Sequence, residues 1–142
     1  MKIVEILLTN KDAADIVHTA VEGGTTYWAE VKSYNWKDWY EPDPARSSDT
    51  YQAERIKDLP EGYVFVQIRE DKFLVDPERA VNTWIPVTRL MLEKGVRMLL
   101  ENMPHLIGHV EKDDDGGVEM DFDGTACDVI MQYAIFEEVI YG

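Results

Sequence analysis

TNKDAADIVHTAVEGGTTYWAEVKSY, residues 9–34, sets the fold class, because it reads as a helix that runs directly into a strand. Thr9 is placed to accept from the backbone N–H three residues on. Asp12, at that third position, completes a short-armed capping box and meets the positive end of the helix dipole. Ala13, Ile16, Val17, Ala20 and Val21 recur at three and four residues, which puts them on one helical stripe. Gly23 and Gly24 are expected to end the helix, one in the left-handed conformation and the other freeing the chain to reverse. Residues 25–34, dense in β-branched and aromatic side chains, predict a strand.

Working outward, the apolar residues of 2–8 predict a buried strand or a lead-in to the first helix. Residues 35–62, rich in Pro, Ser, Asp and Glu, predict a long surface loop with one helical turn around Gln52–Ile56. Residues 63–68 and 73–75 flank Arg69–Lys72 as a hairpin, and Asp76-Pro77 opens a single helical turn. Val87 or Thr88 to Leu100 is the longest helical pattern, with Leu92, Val96, Leu99 and Leu100 on one side. Gly95 inside it costs about 1 kcal/mol relative to alanine, so the glycine predicts a close approach by another element. Residues 105–110 and 118–122 read as strands around the turn EKDDDGG, and Asp123 caps a final helix. The stripe of that helix, Ala126, Val129, Ile130, Tyr133, Phe136 and Ile140, is expected to run almost to Gly142. Hairpins outnumber crossovers, so the expected architecture is a single α+β domain over 1–142, an antiparallel sheet packed with two or three helices.

Composition narrows the function classes. The 142 residues are 45% hydrophobic, enough for a core that needs neither a metal nor a disulfide framework. Cys127 is the single cysteine and suits a reducing compartment. No apolar run approaches the ~20 residues of a membrane span, and the first residues lack the pattern of a signal peptide, which points to a cytoplasm. Acidic side chains number 28 against 14 basic, a formal charge of −14. Residues 1–100 hold 17 acidic and 13 basic groups, whereas 101–142 hold 11 and one. Binding to DNA or RNA requires clustered Lys and Arg, and here the basic residues are scattered singly. An acidic surface fits a basic protein partner, a cation, or solubility alone.

Six of the fifteen aromatics, Tyr27, Trp28, Tyr34, Trp36, Trp39 and Tyr40, lie within residues 27–40. Strand alternation would put Tyr27 on the face of Ala29 and Val31, and Trp28 on the wetter face of Glu30, Lys32 and Tyr34. Three readings stand: a cover over a small core, a protein interface, or a stacking surface for a ring. As an interface, Trp28, Trp36, Trp39 and Tyr40 would hold a partner that Asp113, Asp114, Asp115, Glu119 and Asp121 steer. As a pocket for a nucleotide-like molecule, Tyr27 would stack on the base while Arg46, Arg55 or Arg89 pairs with phosphate. A third and weaker reading is metal-assisted hydrolysis by Asp113, Asp115, Asp121 and Asp123.

Chemical motifs are sparse. Counted from Glu111, the acidic loop has the EF-hand glycine at Gly116, but Phe122 stands where a bidentate glutamate is needed and the flanks read as strands. His105 and His109 have helical spacing, yet Pro104 and Gly108 argue for extended chain, and His18 stands apart from both. Cys127 opens the last helix, where the dipole would lower its pKa, although a small buried hydrophobe is the simpler role. No nucleophile elbow, phosphate loop, dinucleotide fingerprint or HExxH is present. No catalytic residue, metal or cofactor is therefore assigned.

Two stretches, HTAVEGGTTYW (residues 18–28) and DVIMQYAIFEEVIYG (residues 128–142), carry a resemblance. They are similar to a functionally unassigned group of small accessory proteins of tailed bacteriophages and prophages, in which a TA-EGG-YW stretch opens the protein and a QYA-F-E-YG stretch closes it. The match spans about a fifth of the chain, and the middle departs from the pattern. It implies a phage gene product acting in the cytoplasm of an infected bacterial host, and carries over no catalytic residue. The resulting expectation is a non-enzymatic accessory protein that binds a basic host or defence-system protein, with inhibition as one form the binding can take, without cofactor or membrane. An exposed amphipathic final helix would leave room for a homodimer.

Overall fold

Thr9 caps helix α1 (Asn10–Thr19) with both halves of the capping box in place: its hydroxyl accepts from Asp12 N at 3.1 Å, and the Asp12 carboxylate accepts from Thr9 N at 3.0 Å. The chain is seen in a computed structural model that describes residues 7–42, 51–71, 83–107, 110–112, 118–120 and 123–142; for 42, 51–55, 110–112 and 118–120 it describes the backbone. The expected strand at 2–8, the strand at 73–75 and the turn at Asp76-Pro77 fall wholly or largely outside those residues.

The helix does not end as the glycines suggested. Ala20–Gly24 form a π-helical turn closed by Thr25, whose N–H and hydroxyl both donate to the Ala20 carbonyl at 2.9 Å. Neither glycine takes the left-handed conformation. Gly24 is needed for a different reason: a Cβ there would lie 2.6 Å from the Gly124 carbonyl oxygen.

Thr25–Trp28 then turn, and the strand is shorter than expected, β1 (Ala29–Lys32). It pairs antiparallel with β4 (Val64–Glu70), which in turn pairs with β5 (Ile85–Thr88), so β4 is the middle of a three-stranded antiparallel sheet. Between β1 and β4 the expected loop is partly structured. A 3₁₀ turn at Trp36–Trp39 leads into β2 (Tyr40–Pro42), paired antiparallel with β3 (Tyr51–Ile56), where a helical turn was expected. Polar composition hid this hairpin because few aliphatic residues mark its strands. A second small hairpin, β6 (Val110–Lys112) with β7 (Val118–Met120), bears out the expected pairing across the acidic turn. His105 lies in a 3₁₀ turn, Pro104–Leu106, not in a strand.

Helix α2 (Arg89–Asn102) starts at Thr88, whose hydroxyl accepts from Met91 N, and it packs along α3 (Gly124–Phe136). Gly95 makes that packing possible, because a Cβ would run into the Ile130 carbonyl of α3. Asp123 caps α3 as expected, accepting from Ala126 N at 2.7 Å. Every residue from Ala126 to Ala134 is buried, so α3 is a central helix enclosed on all sides and not an amphipathic surface one. That removes the argument for a dimer through its exposed face. It stops at Phe136, four residues before Ile140, the last residue of the expected stripe, because Glu137 takes left-handed backbone (φ 61°) and turns the chain back. The result, among the described residues, is a single α+β arrangement of three α-helices with an antiparallel sheet. No helix among the described residues is long and apolar enough to cross a membrane.

Candidate functional site

Residues 27–28, ahead of β1, and the stretch 128–141 meet around one carboxylate. Trp28 Nε1 donates to Asp128 Oδ1 at 2.6 Å, Tyr27 Oη donates to Asp128 Oδ2 at 2.6 Å, and Gln132 Nε2 donates to the same oxygen at 3.2 Å. Asp128 is 8% exposed, and no lysine, arginine or histidine among the described residues pairs with it. Three of the four or so lone-pair positions of a carboxylate are thus taken by neutral donors. The other face of the network is held by Gln132, one helical turn further along α3. Its Oε1 accepts from the Ile140 and Tyr141 amides at 2.8 Å each, and its Nε2 donates to the Tyr141 carbonyl at 3.1 Å. This latch lays Tyr141 on Trp28, and the Tyr141 hydroxyl reaches the buried Glu70 carboxylate of β4 at 2.5 Å.

Beside the network lies an open groove of about 800 Å³, walled by the 20–24 turn, the first turn of α3 and the segment 139–142. Thr19, Glu22, Tyr27, Thr125, Asp128 and Tyr141 line it together with Val129 and Val139, and among the described residues no lysine or arginine does. Tyr27 is 50% exposed and presents its ring there. Partial burial, and then the carboxylate it bonds, push its phenol up to about 12, so it stays a neutral donor across the physiological range.

The expected aromatic interface is corrected by these positions. Trp28 and Trp39 are 0% exposed and Tyr40 is 4% exposed, while Trp36 is half-buried against the core. Trp28 precedes β1 instead of alternating within it, and its indole turns inward to the acceptor on α3, leaving Tyr27 outside. Inside and outside are the reverse of strand alternation. Trp39 packs edge-on to Phe65 (5.2 Å between centroids) and Tyr34 (5.5 Å). Four rings, Tyr34, Trp36, Trp39 and Tyr40, surround His18, whose Nδ1 bonds the Tyr34 hydroxyl. The reading of these aromatics as a cover over the core is the one that fits.

The other expected residues are not brought together. Arg89 is committed elsewhere, donating to the Leu8 carbonyl at 3.0 Å with Glu93 at 3.9 Å, and does not line the groove with Tyr27. Arg46, Asp113, Asp114, Asp115 and Asp121 lie outside the described residues, as do the side chains of Arg55 and Glu119. Cys127 is fully buried, and burial pushes its thiol up to about 12, the opposite of the activation its place near a helix start suggested. Among the described residues no group of three or more His, Cys, Asp or Glu is arranged to hold a metal.

Asp128, Gln132, Glu22 and Tyr141 were missed as site residues. One signal was available: Asp128 and Gln132 are polar residues four apart inside an otherwise apolar helix, a spacing that aims two hydrogen-bonding groups at one place in a core. Comparison with family models, with curated proteins and with solved structures finds no match to this chain.

Proposed function

We propose that the chain is a non-enzymatic accessory protein that works by binding a basic partner protein, with the groove beside Asp128 as its principal contact surface. The observation that carries the reading is the makeup of that groove, which gathers the carboxylates of Glu22 and Asp128 and an exposed tyrosine ring with no lysine or arginine among its described lining residues; the nearest basic group is His18, whose Nδ1 stands 3.8 Å from Glu22. The charge of −14 adds a long-range field of the same sign, which speeds encounter with a basic surface and disfavours nucleic acid. Of the three arginines considered for a phosphate, Arg89 is engaged away from Tyr27.

The phage resemblance belongs to the same proposal. Its two stretches, residues 18–28 and 128–142, are the ones whose side chains meet at Asp128, so the similarity coincides with the groove. An accessory protein of a phage, meeting a host or defence-system protein in the bacterial cytoplasm, fits both.

The test is retention of proteins from bacterial host lysate on the immobilised chain at low and high salt. A discrete basic protein, held at low ionic strength, released as salt rises and lost with Tyr27→Ala that circular dichroism finds folded, is the expected result. Retention that ignores both salt and the substitution would reject the proposal.

A further inference from the structure

Asp128 is a buried carboxylate at the edge of an open groove. It is more than nine-tenths buried, lines an open groove, and accepts three hydrogen bonds from groups that bring no positive charge. A buried carboxylate without a cationic partner is costly, and its cost falls when a charged donor comes within hydrogen-bond reach. Glu22, with a largely exposed side chain, adds a second negative charge to the same groove, and the Tyr27 ring supplies an aromatic face. Two carboxylates beside an exposed phenol ring make the environment a guanidinium occupies best. Its planar fork pairs with a carboxylate, its face stacks on an aromatic, and it is more weakly hydrated than an ammonium.

We infer that the groove between the 20–24 turn and the start of α3 is a receptor for a single arginine side chain on the partner protein. The guanidinium takes the remaining acceptor position of Asp128, lies against Tyr27 and is flanked by Glu22. Val129 and Val139 line the same groove and offer apolar contact to the methylene stem. This rests on the function proposed above, naming the chemistry that the partner must offer.

The probe is N-acetyl-arginine amide, titrated into the isotopically labelled chain, with N-acetyl-citrulline amide as the uncharged isostere. The Trp28 indole N–H, bonded to Asp128, reports from beneath the groove, and the Gly24, Gly124 and Thr125 amides report from its walls. The expected result is a saturable shift of these signals with arginine and none with citrulline. Glu22→Gln, a change at a largely exposed side chain whose carboxylate stands 3.8 Å from His18 Nδ1, is expected, in a variant that circular dichroism finds folded, to weaken arginine binding by about two- to five-fold. Equal response to arginine and citrulline, no response at the Trp28 indole, or unchanged affinity in Glu22→Gln would overturn the inference. A polyarginine peptide separates the two levels. If it binds the chain in a salt-dependent way while the groove signals stay still, the acidic-surface reading survives and the arginine receptor falls. If it does not bind, both fall.

Discussion

The indole of Trp28 lies flat on the ring of Tyr141, 5.3 Å between centroids and 6° between planes, while its Nε1 donates to Asp128. Phe136 closes a third side at 5.4 Å. Trp28→Ala removes ring, stacking and hydrogen bond together, and should cost about 3–5 kcal/mol, the range for emptying an aromatic site in a core. Trp28→Phe keeps most of the ring but leaves Asp128 Oδ1 without its donor, and should cost about 1–3 kcal/mol. Urea midpoints at constant m value measure both, and equal losses would argue against a distinct contribution from the hydrogen bond.

Adjacent glycines in the 20–24 turn should respond in opposite ways. A Cβ at Gly23 meets nothing within 4 Å, and the backbone there needs no left-handed angle, so Gly23→Ala should be neutral or stabilise by about 0.4–1 kcal/mol. At Gly24 the same change drives a methyl against the Gly124 carbonyl and should destabilise by about 1–3 kcal/mol. Thermal melts of the pair decide it.

Gly95→Ala poses a contest between local propensity and tertiary packing. An isolated helix would gain about 1 kcal/mol from alanine. Here the obstacle is the backbone oxygen of Ile130, which has no rotamer to adopt, so a net loss of stability is expected and should appear in chemical denaturation. A gain would mean that α2 and α3 separate at little cost.

Alkaline pH should unfold the chain for a definable reason. Cys127 and Tyr27 both have folded pKa values raised to about 12, from 9.0 and 10.0, chiefly by burial. Folding therefore favours their neutral forms. That contribution is complete below pH 9 and is lost as pH climbs toward 12. Cys127→Ala should flatten the fall in stability across this window. In the native chain at neutral pH the thiol should also resist an aromatic disulfide reagent until denaturant is added.

Local grammar was readable wherever it is written within a few residues: the Thr9 capping box, the Asp123 cap, the packing role of Gly95 and the hairpin across the acidic turn. What escaped depends on partners far along the chain. Alternation assigns Trp28 to a wet face because periodicity knows nothing of Asp128, 100 residues away. The glycines at 23–24 look like a helix stop, yet Gly24 answers to a carbonyl on α3. Likewise the last helix reads as a stripe although it is enclosed, and only its two misplaced polar residues, Asp128 and Gln132, hint that something else must reach it.

The Gln132 latch also dictates an order of assembly. Trp28 leaves the ribosome about 100 residues before its acceptor, which at about 5–20 residues per second is a wait of roughly 5–20 s with a large indole lacking its final neighbours. Long-range closure of this kind slows folding, because loop entropy is spent before any contact rewards it. Nascent chains halted before residue 132 should therefore be prone to aggregation or chaperone capture, and the native state should form only once the synthesis of residues 140–141 lets the amide engage.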